Sequence, residues 1–466
     1  MSAKVSRACD ACRVRKVRCS GDRPCAQCAH LSLACAFGPA PAERKPGVRG
    51  RLLVYPVNPV VTPDELRAAI ANMHADYEDA ALVHAFGAVT INLTQTSWTL
   101  HGDIAAQMDS LVQYSLWAHH KAQLASGGDV HGLQGEMPVT VKHIMTCVFN
   151  EISLMAFKRC DRSFAVLREA IAMIQMLNVH QYSDADADTA LGLSEIARRQ
   201  RMYWEAYIHE RFMCIMSGFP CIMMPLRTGL PIADGSVPPH VTAGFNRLIQ
   251  LFRIMDGPLL AHWTAQQEPS HVVPAMTAQW IESKQAQLDH DEAAAAEAAR
   301  DMAASGRGSL SELQHVDLFI TRLWLRTLVW LLALSHGLLR SAPPQNTHEG
   351  LSLHFPAHRL SAQLRSLVSR LGSVASIVIH GSGILQKLFE ITSTVADVLA
   401  LPRGTGQTQE DARARVEDFL FLVRFLFGFE RTEKHQRDYL GEKLDVLQRL
   451  YTAVDFGHLA GASPNA

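Results

Sequence analysis

Six cysteines within the first 35 residues constrain this chain more than any other feature: Cys9, Cys12, Cys19, Cys25, Cys28 and Cys35. Their spacing, C-x2-C-x6-C-x5-C-x2-C-x6-C, writes nearly the same half twice. Each half sets two thiols about one helical turn apart and brings back a third after a short loop. Thiolate sulfur is a soft ligand that suits tetrahedral zinc. Three sulfurs leave one tetrahedral position open, so two halves close two sites only by sharing two sulfurs. The pattern predicts a compact two-zinc knot. A disulfide framework would use the same residues, but residues 1–7 are short, polar and basic, without the apolar core of a secretory signal. The expectation is a reducing compartment, where metal is favoured over disulfide. An iron–sulfur site would explain neither the repeated halves nor the charge between them.

That charge is the run Arg13-Val14-Arg15-Lys16-Val17-Arg18, four cations in six residues inside the proposed metal loop. The whole chain of 466 residues has a net charge of -1, but the balance is uneven. Residues 1–51 hold 11 of the 44 Lys and Arg and 3 of the 45 Asp and Glu, a net of +8, which leaves -9 on the rest. A basic head on an acidic body points to a polyanion as partner of the head alone. Cations on a metal-held segment suit phosphate oxygens and guanine edges.

The cysteine spacing, the basic loop and Pro24 ahead of Cys25 resemble the fungal binuclear zinc cluster (Zn2Cys6) transcription factors. The resemblance implies two zinc ions, with Cys9 and Cys25 bridging both and Cys12, Cys19, Cys28 and Cys35 as terminal ligands. It implies that Lys16 reads a CGG triplet in the major groove of double-stranded DNA, with Arg13, Arg15 and Arg18 on phosphates. Pro24 matches a loop proline of the family. The implied protein is a nuclear, sequence-specific regulator of transcription by RNA polymerase II.

Six segments follow from composition and periodicity: the cluster at 1–38, a basic Pro/Gly linker at 39–63, helical halves at 64–283 and 312–455, a low-complexity mobile insertion between them at 284–311, and a frayed tail at 456–466. In the linker, Pro39, Pro41, Pro46 and Gly47 interrupt regular structure. Arg44, Lys45, Arg49 and Arg51 keep it cationic and able to track a DNA backbone or extend a nuclear-import signal. Thr62 or Asp64 is placed to cap the next helix. Leu66, Ile70, Met73 and Tyr77 have helical spacing that stops within three turns, so no coiled coil is predicted after the cluster. A homodimer would have to form without one.

From residue 64 apolar residues recur at three- and four-residue intervals, predicting a large all-α body and a mostly α protein. Expected elements are a helix at 104–125, a helical pair within 139–180 and a helix over 192–217. Phe164, Leu167, Ile171, Ile174 and Leu177 fall on one face of the pair's second helix. The apolar run over 318–339 approaches the length of a membrane span, but Arg322 and Arg326 interrupt it, so a buried core helix is predicted and no membrane partner. Alanines 293–296 and the Ser-Gly-Arg-Gly-Ser run at 305–309 mark the expected insertion. Amphipathic helix returns at 410–452, with Phe419, Leu420, Leu422, Val423, Phe425, Leu426 and Phe429 as core. Cys147, Cys160, Cys214 and Cys221 are scattered and expected to be buried apolar residues.

Within the body, Ala170-Ile171, Leu177-Asn178-Val179-His180, Arg198-Arg199, Tyr203-Trp204, Glu210-Arg211, Pro220 and Leu230-Pro231 resemble the fungal "middle homology" regulatory domain. Asn178 stands where that family usually has glycine. On physical grounds the arginines pair with buried acids or stack on rings, and Glu210 with Arg211 forms an internal ion pair. Asp317, Trp324, Leu325, Arg326, Trp330, Leu351-Ser352, Phe355-Pro356 and the block His380-Gly381-Ser382-Gly383-Ile384 resemble a subgroup containing sugar-utilisation regulators and activators of secondary-metabolite clusters. The implied regulon is one of these two, with transcriptional co-regulators as further partners. The glycines after His380 predict a tight turn into a helix near Ile384. A sensor pocket lined by that loop is the other use considered. No G-x-S-x-G elbow, P-loop, dinucleotide fingerprint or H-E-x-x-H stands in the chain, so it is not read as an enzyme. The alternative to a DNA reader is a transcriptional adaptor or repressor that uses the cluster as a structural module.

Overall fold

The structure, a computed structural model, describes residues 9, 12, 19–22, 24–30, 35, 58–95, 98–125, 139–182, 192–266, 273–304, 309–372, 375–402, 408–452 and 454–456. It divides into two units, Met1–Arg49 and Gly50–Ala466. Among the described residues there is no β-strand, only an isolated bridge between Arg340 and Ser352. In the first unit the described helix is α1 (Ala26–His30).

The second unit begins where Thr62 closes a capping box. Its hydroxyl accepts from the Glu65 amide while Glu65 returns to the Thr62 amide, which satisfies two orphan donors of α2 (Pro63–Asn72). Asp76 caps α3 (Tyr77–Thr94), which packs on α4 (Asp103–Ala125) and α5 (Val141–Ala156). The pair expected over 139–180 is α5 with α6 (Cys160–Met176). Leu167, Ile171 and Ile174 are buried, and Phe164 and Leu177 pack at the edge of the core. Asn178 follows at φ +52°, in the left-handed region that glycine and asparagine tolerate best.

Next come α7 (Leu193–Ser217), α8 (Pro239–Ile254) and α9 (Gly257–Ala265). The segment expected as a mobile insertion is for the most part a long helix, α10 (Ala278–Ala304). Lys284, Gln285 and Leu288 are buried, and α10 packs on α8 and on the core helix α11 (Glu312–Ser335). This corrects the reading of 284–304. Alanine repetition looks like low complexity, yet alanine has the highest helix propensity, and the acids just before the alanines have partners. Asp291 takes Arg322 at 2.6 Å, and Asp289 and Glu292 take Arg326 at 2.6 and 3.0 Å. Residues 305–308 lie outside the described set.

The arginines that interrupt the apolar run therefore point at α10. The most apolar 18-residue window of α11 is 78% buried, as a core helix should be. Helices α12 (Ser361–Arg370), α13 (Ala375–Val378), α14 (Gly381–Leu399), α15 (Gln409–Phe427) and α16 (Lys434–Leu450) complete the unit. α14 packs on α11, α15 and α16 and touches α5. Phe419, Leu420, Leu422, Val423, Leu426 and Phe429 are buried, and Phe425 packs at the core's edge. One continuous apolar core holds residues from Val60 to Phe456, so both sides of α10 share it. Phe456 is buried, and the rest of the expected tail lies outside the described residues.

Candidate metal centre and nucleic-acid interface

The two cysteine halves repeat in space as they do in sequence. The Cys9 amide donates to Cys19 Sγ at 3.4 Å, and the Cys25 amide donates to Cys35 Sγ at 3.3 Å. In each half the first residue thus holds the last. The Cys28 amide donates to Cys25 Sγ at 3.4 Å, and Ser20 Oγ accepts the Ala26 amide at 2.9 Å, where α1 begins. Pro24 is an exposed bend just before Cys25.

The six sulfurs fall into two sets of four: Cys9, Cys12, Cys19 and Cys25, and Cys9, Cys25, Cys28 and Cys35. Within each set every sulfur lies within 4.8 Å of the others, and Cys9 and Cys25 belong to both. Sγ of Cys9 and Cys25 are 3.7 Å apart, with Cys9 to Cys28 and Cys12 to Cys25 both at 3.5 Å. Four sulfurs at about 2.3 Å from a tetrahedral zinc stand about 3.8 Å from one another. The donor chemistry and spacing fit two zinc ions.

The electrostatics separate the shared sulfurs from the outer ones. The Cys12 backbone amide holds the Cys9 thiol below its usual value, and the Cys28 amide brings Cys25 down to about 6, in both cases against burial. Burial and the neighbouring sulfurs push Cys12 up to about 12 and raise Cys28. Of these four thiols, the two common to both sets are shifted down and the two outer ones up. Arg13, Arg15, Lys16, Arg18, Arg44, Lys45, Arg49 and Arg51 lie outside the described residues.

In the body, the arginines of α7 are engaged in structure. Arg198 pairs with Glu65 at 2.7 Å, Arg199 with Glu195 at 2.8 Å and the Tyr182 hydroxyl, and Arg201 with Asp234 and the Pro59 carbonyl. The expected pair of Glu210 with Arg211 is present at 4.0 Å, but Glu210 has a closer partner. It pairs at 2.7 Å with Arg168 of α6 and accepts the Ile222 and Met223 amides, while Arg211 also lies over the Tyr207 ring. Cys147 and Cys214 are buried as expected, whereas Cys160 and Cys221 are only partly so.

The turn after His380 is tight, with Gly381 at φ +70°, and α14 starts at Gly381 itself, three residues before Ile384. His380 Nε2 donates to the Leu313 carbonyl at 2.9 Å. Residues 379–383 line a cavity together with Glu151, Glu205 and His209. Those three carry no local motif. The one hint in sequence is that Glu205 and His209 stand one helical turn apart.

Residues 7–44 match the family described as the Fungal Zn(2)-Cys(6) binuclear cluster domain. A relative, "Probable sucrose utilization protein SUC1" of Candida albicans, is 22% identical over 271 residues, which is 57% of this chain and 48% of that protein. The chain thus spans about half the length of the curated relative it matches. Such cluster domains hold two zinc ions, bind DNA and serve in transcription regulation. With its six cysteines in two four-sulfur sets, this chain carries at its N-terminus a fungal Zn(2)-Cys(6) binuclear cluster domain.

Proposed function

We propose that the chain is a nuclear, sequence-specific regulator of RNA polymerase II transcription that reads a CGG-type triplet through its N-terminal cluster. The observation that carries this reading is the sharing of Cys9 and Cys25 between two four-sulfur sets inside the segment that matches the cluster family. Cys9 and Cys25 bridge two zinc ions, and Cys12, Cys19, Cys28 and Cys35 complete the two tetrahedra. The ions supply the cross-links of a module too small to be held by an apolar core.

On that support Lys16 donates to guanine O6 and N7 in the major groove, the contact that distinguishes G·C from the other pairs. Arg13, Arg15 and Arg18 hold phosphates and set the register, and Arg44, Lys45, Arg49 and Arg51 follow the backbone beyond it. Pro24 shapes the loop between the halves. The helical body is the regulatory part, of the middle homology type, with co-regulators or a second copy of the chain as partners. The likeness to a sucrose utilization protein favours a metabolic gene set, in particular carbohydrate use, over a secondary-metabolite cluster.

The test is a binding selection from random duplex DNA with the full chain, with zinc and then with chelator. The expected result is an enriched CGG triplet that disappears on chelation. Lys16→Ala then weakens the selected site by about 1–3 kcal/mol and random DNA far less. Equal losses on both would remove Lys16 as a base reader. No enrichment, and binding insensitive to salt, would favour the adaptor reading instead.

A further inference from the structure

Four side chains of the helical body, none of them lining the cavity, gather where α4, α5 and α6 meet. They are His119 on α4, His143 and Cys147 on α5, and Glu169 on α6. His143 and Cys147 stand four residues apart and so share one face of α5. His119, Cys147 and Glu169 each bring one ligand atom to a set whose members all lie within 4.8 Å of one another. His119 Nε2 is 2.9 Å from Glu169 Oε1 and 3.6 Å from Cys147 Sγ. The His143 ring stacks on the His119 ring with centroids 3.7 Å apart. His119, His143 and Cys147 are buried, while the Glu169 side chain is 32% exposed.

An ordinary histidine–carboxylate pair accounts for only part of this arrangement. A proton on Nε2 serves Glu169 Oε1, which also accepts from Gln123 at 2.6 Å. The same proton does not serve the Cys147 sulfur as well. His143 is left with both ring nitrogens buried and without a hydrogen-bond partner among the described residues. Buried polar atoms are paired in the great majority of cases. A ring bare on both nitrogens, set against an imidazole, a thiol and a carboxylate, has the makings of a ligand set.

We propose that these four side chains form a zinc site of the helical body, separate from the N-terminal cluster. Around a tetrahedral zinc with bonds of about 2.0–2.3 Å, nitrogen and sulfur ligands stand about 3.5 Å apart and nitrogen and oxygen about 3.3 Å. The first spacing is already met, and the second needs Glu169 to withdraw by a few tenths of an ångström, which its partly exposed side chain allows. His143 is not among the converging atoms. Turning its ring brings a nitrogen toward the fourth position and breaks no hydrogen bond. The Glu169 carboxylate and the Cys147 thiolate carry two negative charges and the neutral imidazoles none, so a divalent ion leaves the buried set balanced. The thiol gives its proton to solvent as the ion binds. Sulfur and imidazole donors suit zinc and not magnesium or calcium. The exposed edge of Glu169 is the entry path, and an ion held there fastens α4, α5 and α6 together. The inference concerns the body alone and does not rest on the DNA reading.

The experiment counts metal in the purified full chain after exhaustive dialysis. Wild type should hold three zinc ions per chain and Cys147→Ala two. The same count on the full chain with Cys→Ser at all six cluster positions should give one ion, so failure of the body site and failure of the cluster reading are told apart. In that cluster-free chain zinc should bind with a Kd below about 1 μM and magnesium should not bind. Cys147→Ala, Glu169→Gln and His143→Gln should each weaken zinc at least about tenfold. Cobalt(II) in place of zinc should give thiolate-to-metal charge-transfer absorption that Cys147→Ala abolishes. Glu169→Gln alters a partly exposed side chain without changing its size, so it carries the same information if the buried variants fold poorly by circular dichroism. A cluster-free chain without zinc would overturn the proposal. So would zinc that survives both Cys147→Ala and Glu169→Gln, which would be an adventitious ion only.

Discussion

Replacing Arg326 by alanine should destabilise the body by about 2–3 kcal/mol, and replacing it by methionine by less than about 1 kcal/mol. Arg326 is fully buried on α11, and its guanidinium meets Asp289 at 2.6 Å and Glu292 at 3.0 Å on α10. Gln285 joins the group, donating to the Arg326 carbonyl at 3.2 Å. Breaking a buried pair by removing one partner costs about 3–5 kcal/mol when the remaining charge stays dry. Here Asp289 and Glu292 are 39% and 36% exposed, so water can solvate them after the loss, which brings the figure down. Part of what remains is packing, because the aliphatic stem of Arg326 fills space in the core.

Methionine keeps the stem and removes the charge together with Nε, a buried donor that has no partner. The acids left behind are partly exposed, so water takes over their charge and the loss of the guanidinium itself costs little. Urea unfolding followed by far-UV circular dichroism, with wild type, R326A and R326M side by side, reads the difference directly. A loss below about 1 kcal/mol for R326A would refute the claim that this contact docks α10 on the core. A methionine variant as unstable as the alanine one would show that the charge, and not the stem, carries the docking.

Cys25→Ser should release both zinc ions of the cluster and Cys12→Ser mainly one, counted by metal analysis of the purified chain, because Cys25, unlike Cys12, belongs to both sulfur sets. Equal metal loss in the two variants would contradict the sharing. His209 is raised from its ordinary 6.5 to about 10, so its contribution is complete below about pH 6.5 and is lost as pH rises toward 10. Stability should therefore fall by up to about 1.4 kcal/mol per pH unit between about pH 7 and 9, and His209→Gln should flatten that slope. Parallel slopes for the two proteins would rule out the charged histidine. Gly381→Ala puts a side chain at φ +70° with Leu93 only 3.0 Å from its Cβ, and a cost of about 1–2 kcal/mol is expected in thermal unfolding. A neutral result there would mean that the turn relaxes freely.

The parts legible in the sequence are those set by neighbours along the chain. Cysteine spacing alone brought out two halves that share sulfurs, because ligand geometry over ten residues is local. The start of α2 at Thr62, the two helices of residues 139–180 and the core helix α11 followed from caps and periodicity, which are also local. Asn178 holds a left-handed turn because its own backbone preference allows it.

What only the tertiary structure decided depends on residues far apart. Residues 284–304 read as a mobile insertion, but Arg322 and Arg326, more than thirty positions away, meet their acids. Glu210 pairs with its neighbour as expected, yet Arg168 on another helix comes closer. The cavity brings together Asn58, Glu151, His209 and Lys387 from four distant stretches. The division has a physical cause: a metal ligand set or a helix cap is complete within about one turn or loop, whereas a buried charge takes its partner from whichever helix the apolar core packs against it.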